Sequence, residues 1–364
     1  MRRSAWSALM ALVLLLVAGC GGVGGSGAAG TAFAADGRLK VVASIYPVYE
    51  FARAVGGDRI DLVQLVPPGA EPHNWEPSVR DIRTLNAADV FFYNGAGLEH
   101  WVGQVLASLD NRELQVVETS EGFALLDVAG HEHGEDGEAT EGAYPEHEAD
   151  GDAVDVLGQP DEESGHRAAG GEEARDAAAT AGSDTHDHGD LDPHVWLDPS
   201  GAAHAVARIR DALAAADPEG ADYYRARAAE YLAELDSLDQ DFRAGLSQCR
   251  RRVFFTTHAA FGYLAHRYGL EQRAVMGLSP DAEPTPGALR AVVEEAREQD
   301  VRYIFFETLA SDKVARVVAQ EVGAQTLVLN PFEGLTPEQV AAGENYFSIM
   351  HQNLTNLRTA LECD

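Results

Sequence analysis

The sequence predicts an α/β protein of two (β/α) lobes with mostly parallel sheets, joined by a long rigid helix. Three observations carry this. Short apolar runs alternate with amphipathic stretches from Arg38 to Thr119, and the same alternation restarts after Cys249. Between them, an apolar stripe at steps of three and four residues runs unbroken from Tyr224 to Leu246. Apolar strands separated by helices indicate parallel sheets covered on both faces, because each parallel crossover needs a helix.

In chain order, LKVVASI (39–45) reads as a buried strand and YPVYEFARAVG (46–56) as a helix that ends at Gly56-Gly57. IDLVQLV (60–66) is the second strand, followed by a Pro/Gly loop and a helix near SVRDIRTLNAA (78–88). Strand DVFFYNG (89–95), a helix through LEHWVGQVLASL (98–109) and strand LQVVET (114–119) complete the first alternation. Asp198-Pro199 starts a helix, with the Asp as N-cap and the Pro at the first helical position. Asp217-Pro218 starts another, in which Tyr224, Ala228, Tyr231, Leu235, Leu238, Phe242 and Leu246 form the stripe. It covers roughly 27 residues, or about 40 Å at 1.5 Å per residue, a length suited to a strut between lobes.

After Cys249, VFFTT (253–257), QRAVMGL (272–278), VRYIFFET (301–308) and TLVLN (326–330) read as strands. Helices are expected through AAFGYLAHRYG (259–269), TPGALRAVVEEAREQ (285–299) and DKVARVVAQEVG (312–323), with one long terminal helix through 336–361. The expected boundaries are therefore a signal at 1–19, a tether at 20–37 and an N-terminal lobe at 38–217. A connecting helix at 218–248 and a C-terminal lobe at 249–364 follow.

Within the first lobe, residues 131–190 break the pattern. They hold six histidines (His131, His133, His147, His166, His186, His188), many acids and almost no large apolar residue. Such a segment buries too little surface to offset its ordering entropy and is expected to be a disordered insertion.

The N-terminus, MRRSAWSALMALVLLLVAGC, has a basic start, an apolar run from Ala8 to Ala18 and a small-residue ending, which reads as an export signal. VAGC resembles a bacterial lipobox, with cleavage before Cys20 and lipid on that cysteine; later cleavage near AFAA is the alternative. The product is expected outside the cell membrane, lipid-anchored to its outer face or periplasmic, and monomeric. Of the three cysteines this leaves Cys249 and Cys363, an even pair that in an exported protein reads as a disulfide, two unpaired thiols being the alternative. The formal charge of −32, with only Lys40 and Lys313 as lysines, excludes a general nucleic-acid binder, which must neutralise phosphates.

Three histidines fall where strands end or helices begin: His73 in PPGAEPHNWEPS, His194 in LDPHVWLDP and His258 in VFFTTHAAFGYLA. In open α/β sheets ligands sit beyond the carboxyl ends of the strands, so these residues point to a metal site between the lobes. Imidazole is a preferred zinc donor, and four ligands complete a tetrahedron. The fourth is expected to be a carboxylate, either Glu333 in LNPFEGLTPEQ or Glu307 in YIFFET, which spacing alone does not separate. Asp192 and Asp198 flank His194 and suit support and capping, because a ligating histidine usually hands its other N–H to an oxygen. His100, His204, His266 and His351 are assigned ordinary helix positions.

As a set, EPHNWEPS, DPHVWLDP, THAAFGYLAHRYGL and LNPFEGLT resemble the substrate-binding lipoproteins of zinc and manganese ABC transporters, in the order that family carries them. The resemblance covers about Lys40 to Cys363. It implies a receptor that captures a divalent cation between two lobes and passes it to a membrane permease, with His73, His194 and His258 as ligands and Glu333 favoured over Glu307. It also matches the Cys249–Cys363 pair to a disulfide and the acidic histidine tract to zinc-type members, where weak auxiliary capture of Zn2+ is expected.

Three imidazoles and one carboxylate suit zinc, whereas manganese is expected to recruit more oxygen. A manganese receptor is the nearest alternative. A zinc hydrolase is another, but the HEHGE at His131 lacks the four-residue histidine spacing of HExxH; a zinc-buffering or adhesive lipoprotein is the third. No enzymatic role is expected.

Overall fold

The computed structural model describes residues 33–34, 37–126, 191–280 and 284–364. Cys20 and the six histidines of the 131–190 tract lie outside the described residues. Among the described residues no helix is long and apolar enough to cross a membrane.

Two four-stranded sheets form the two lobes, and every strand pair in them is parallel. The first contains β1 (Leu39–Ala43), β2 (Ile60–Gln64), β3 (Val90–Tyr93) and β4 (Gln115–Glu118), in the order β2-β1-β3-β4. The second contains β5 (Val253–Thr256), β6 (Glu271–Ala274), β7 (Tyr303–Phe306) and β8 (Gln325–Val328), in the order β6-β5-β7-β8. Each order reverses direction beside its first strand, and such a switch point opens a crevice at the strands' carboxyl ends. Val41, Val42 and Ala43 are wholly buried, as strands covered on both faces require.

Helices α1 (Tyr46–Gly56), α2 (Val79–Asn86) and α3 (Val102–Ser108) flank the first sheet, and α4 (Pro199–Ala216) leads to the connecting helix α5 (Ala221–Leu246). Asp198 caps α4 by accepting from Ser200 N, with Pro199 in the first turn, as its sequence predicts. Asp217-Pro218 opens a 3₁₀ turn, so α5 itself starts at Ala221. The seven stripe residues are the buried residues of α5. They belong to one apolar core that runs from Val41 and Phe51 of the first lobe to Phe254 and Phe305 of the second. Smaller clusters cover the outer sheet faces, around Phe91 and Trp101 in one lobe and Phe255 and Val292 in the other. A core shared across the lobes resists their separation, since interiors pack at crystal-like density.

The second lobe adds α6 (Gly262–Tyr268), α7 (Pro286–Glu298), α8 (Lys313–Val322), α9 (Pro337–Ala342) and α10 (Tyr346–Ala360). The terminal segment, expected as one helix, is therefore two. Gly343 ends α9 in the left-handed region at φ 74°, and Asn345 opens α10 with a capping box to Ser348. Helix α6 starts three residues later than expected, because Ala259 N is committed to Gly277 O in the loop that carries His258.

A disulfide joins Cys249, just past α5, to Cys363, just past α10. It closes a loop of 114 residues, which the chain-entropy relation values at about 4–5 kcal/mol. Reduction, or Cys249→Ser with Cys363→Ser, is expected to destabilise by about 2–5 kcal/mol, read from urea unfolding. An unchanged midpoint refutes this.

Candidate metal centre

His73, His194, His258 and Glu333 come together from four separate segments, with one donor atom of each lying within 4.8 Å of all the others. His73 sits in the β2–α2 loop and is the partly exposed member, with its side chain 10% accessible. That loop is tied to the opposite lobe by Gly69 N donating to Leu335 O at 2.9 Å. His194 precedes a 3₁₀ turn (Val195–Leu197) and is wholly buried. His258 follows β5, with its carbonyl held by Thr256 Oγ1 and Gln272 Nε2. Glu333 follows β8 and is 2% exposed.

Oxygen Oε1 of Glu333 lies 3.3 Å from His73 Nε2, 3.0 Å from His194 Nε2 and 3.4 Å from His258 Nε2. His73 Nε2 and His194 Nε2 are 3.4 Å apart. A tetrahedron with bonds of about 2.0–2.1 Å, the zinc value, has edges of about 3.3–3.4 Å. The four spacings, from 3.0 to 3.4 Å, lie at or just below that figure, so these donors are close enough together to share one small cation. His258 supplies a second sign of fit. Its ring is wholly buried and its Nε2 makes no well-directed hydrogen bond, which a bound cation would remedy.

Carboxylates stand behind two of the rings. His194 Nδ1 lies 2.7 Å from Asp192 Oδ1, which also accepts from His194 N at 2.9 Å. His258 Nδ1 lies 2.5 Å from Glu307 Oε2, and Glu307 Oε1 accepts from Thr257 Oγ1 at 2.7 Å. Both carboxylates favour the proton on Nδ1, leaving the Nε2 lone pair for a cation. Glu307 thus stands behind His258, on the side away from Glu333, whereas Glu333 faces all three imidazoles. Asp198 lies outside the group, as the cap of α4.

Burial opposes the charged form of His194, but the neighbouring Asp192 and Glu333 outweigh it and push the imidazole up to about 9. His258 is likewise opposed by burial and lifted by Glu307 and Glu333 to about 10. For Glu333, burial raises the carboxyl, yet the three histidines that face it hold it well below the usual range. His194 and His258 therefore favour their protonated forms against a carboxylate that stays ionised.

Residues unnoticed in the sequence tie this arrangement to the fold. Tyr263, on α6, receives Leu126 N–H and donates to Asp192 O, both at 2.9 Å, clasping the two ends of the long insertion. Gly262 allows the approach of Asp192, because a Cβ there would lie 2.6 Å from Asp192 Oδ2. Asn94 Nδ2 donates to Pro193 O at 2.9 Å, and buried Glu99 accepts from Asn94 N, Gly95 N and Ser44 Oγ. Nothing in local spacing marks these residues, since each acts across a gap between elements. The other histidines among the described residues lie elsewhere. His100 precedes α3, paired with Glu76, His204 meets Glu121 O, and His351 reaches Asp241. His266 lies on α6, exposed.

Removing the backing carboxylate without a ligand should have a graded effect. Glu307→Ala is expected to weaken zinc binding about 10- to 100-fold, and Glu333→Ala considerably more, each by chelator competition. The reverse order would exchange their roles.

The family model for the zinc-uptake complex component A, periplasmic, matches residues 41–360. The zinc-binding protein AdcA of Streptococcus pyogenes serotype M1 is 38% identical over 324 residues, covering 89% of this chain and 56% of that protein. The chain thus spans little more than half the length of the AdcA proteins it matches. The high-affinity zinc uptake system protein ZnuA of Bacillus subtilis is 36% identical, covering 89% of this chain and 88% of that one. Among solved structures, the Zn(II)-bound ZnuA-like domain of Streptococcus pneumoniae AdcA superposes with a TM-score of 0.67 at 34% identity, covering 90% of this chain and all of that domain. Two parallel four-stranded lobes, a buried three-histidine, one-glutamate cluster between them and a match over nearly the whole sequence lead to one conclusion: the chain belongs to the family of periplasmic zinc-uptake component A.

Proposed function

We propose that this protein is an extracytoplasmic receptor that binds Zn(II) through His73, His194, His258 and Glu333 and delivers it to the membrane permease of an ABC importer. The observation that carries the reading is the convergence of three imidazoles and one carboxylate, with Glu333 Oε1 3.0–3.4 Å from each imidazole Nε2, in a site buried between the lobes. Four protein donors fill the coordination sphere and leave no position for the reactive water of a catalytic zinc. The site suits capture and release of the ion as cargo. Its donor set, with a single oxygen, favours zinc over manganese.

Lipid on Cys20 would hold the receptor, as a monomer, at the outer face of the membrane. Residues 38–217 and 249–364 are the proposed lobes, with 218–248 between them. The 131–190 tract is proposed as a weak auxiliary collector through its six histidines. Titration of the full chain and of a variant lacking 131–190 tests both readings. One tight zinc site is expected in each protein, with additional weak binding in the full chain alone. Loss of tight binding on deletion moves the principal site to the tract, and equal stoichiometry removes the collector.

A further inference from the structure

The turn that presents Glu333 is held in an unfavourable backbone shape by buried groups from three other segments. Phe332 has φ 59°, a region that bulky residues avoid, and is wholly buried immediately before Glu333. Its ring is wedged between Tyr46 at 5.1 Å and Tyr346 at 5.2 Å, both edge-on. Its N–H donates to Asn330 Oδ1 at 2.8 Å. Asn353 of α10 grips the start of the turn twice: its Oδ1 accepts from Asn330 N, and its Nδ2 donates to Asn330 O. Trp196, two residues past His194, donates Nε1–H to Pro331 O at 2.7 Å, and Tyr346 OH donates to Trp196 O at 2.6 Å. Asn330 Nδ2 is buried with no partner, a second local cost in the same turn.

We propose that Asn330–Glu333 is a strained clamp, with Phe332 and Trp196 as its specificity-determining residues, that fixes Glu333 as a one-oxygen ligand and so disfavours cations needing more oxygen donors. This rests on the metal-site reading above and adds the origin of its selectivity. A strained conformation persists only where its surroundings over-determine it, and here the wedge and four hydrogen bonds do so. The consequence is geometric. A mobile glutamate could swing to offer both oxygens or admit water, which suits larger, oxygen-seeking ions. A clamped one presents Oε1 to three imidazoles and little else. The link from Trp196 to Pro331 also couples the segment bearing His194 directly to the turn bearing Glu333, so two ligands from opposite lobes share one positioning device.

Trp196→Phe keeps an aromatic ring but removes the donor to Pro331 O together with part of a buried indole, so its thermal stability is measured beside its metal binding. The wild-type protein and this variant would be loaded with Co(II), whose visible absorption is intense in four-coordinate tetrahedral sites and weak at higher coordination. Zinc and manganese affinities would be measured beside it. The expected result is a Co(II) band reduced several-fold in the variant, with the zinc-to-manganese affinity ratio narrowed about tenfold or more, the lower end of the effect known for supporting groups. An unchanged band and ratio overturn the clamp, while failure of the wild-type to bind zinc overturns the underlying site. Hydrogen exchange of the native metal-free protein gives a test that needs no variant. The Phe332 amide is expected to be strongly protected, and rapid exchange there refutes a turn pre-set before metal arrives.

Discussion

His194→Ala abolishes tight zinc binding, while His186→Ala combined with His188→Ala leaves it nearly intact; this is the sharpest expected contrast in the protein. All three histidines lie within nine residues of sequence. His194, the one of the three among the described residues, stands in the buried cluster, 3.0 Å from Glu333 and 3.4 Å from His73. Zinc sites with apparent binding free energies of roughly 10–16 kcal/mol draw about 2.5–4 kcal/mol from each of four ligands, a factor of about 10²–10³ in affinity. The loss should exceed this, because Asp192 would remain as a buried carboxylate without its imidazole. Chelator competition measures both variants. If the double substitution is the damaging one, the ligand assignment fails.

Zinc affinity is also expected to fall steeply with acidity. In the metal-free site His194 titrates at about 9 and His258 at about 10, so at neutral pH a zinc ion must displace protons from both. Each displaced proton costs about tenfold in apparent affinity per pH unit below its pKa, so the two together give up to about 100-fold per unit. Calorimetry in buffers of different ionisation enthalpy should count about two protons released per zinc near pH 7. Affinity that stays level from pH 6 to 8 would falsify the assignment of these two imidazoles.

The stability of the metal-free protein carries the opposite sign. Histidines raised above their unfolded value contribute fully below about pH 6.5, and that contribution is lost as pH rises through 9 and 10. Glu333, depressed, contributes above about pH 4.5 and loses that contribution as pH falls through its low folded value. Melting temperature without metal should therefore decline toward pH 10, whereas the added stabilisation by zinc should grow over the same range until the histidines have lost their protons. Thermal scans with and without zinc would display the two trends diverging. Parallel curves would sink the linkage.

Particular elements separate what spacing reveals from what packing decides. The α5 stripe is legible residue for residue, because one helix face repeats every three to four positions wherever the helix sits. The Asp198-Pro199 start of α4 is legible for the same reason: caps act within one turn. The break between α9 and α10 was marked locally by Gly343 and by Asn345 three residues before Ser348. Apolar residues on either side masked it, and the cap signals outweigh such continuity. Glu307 and Glu333 are different. Both follow a strand of the second sheet, and their spacing assigns neither to the site. Strand β7 lies beside β5, so Glu307 comes up behind His258. The Asn330–Phe332 turn re-aims the chain after β8, and Glu333 faces the ring from the other side.

The sequence by itself determined the alternation of the two lobes, the strut between them, the caps, and the donor types offered at the strand ends. These are properties of short stretches, set by side-chain periodicity and backbone preference. Which carboxylate faces the histidines, and at what distance, was decided only by the tertiary structure. His73 and Glu333 are 260 residues apart and belong to different lobes. Their 3.3 Å separation depends on how a shared core docks those lobes and on how Trp196, Phe332 and Asn353 hold one short turn.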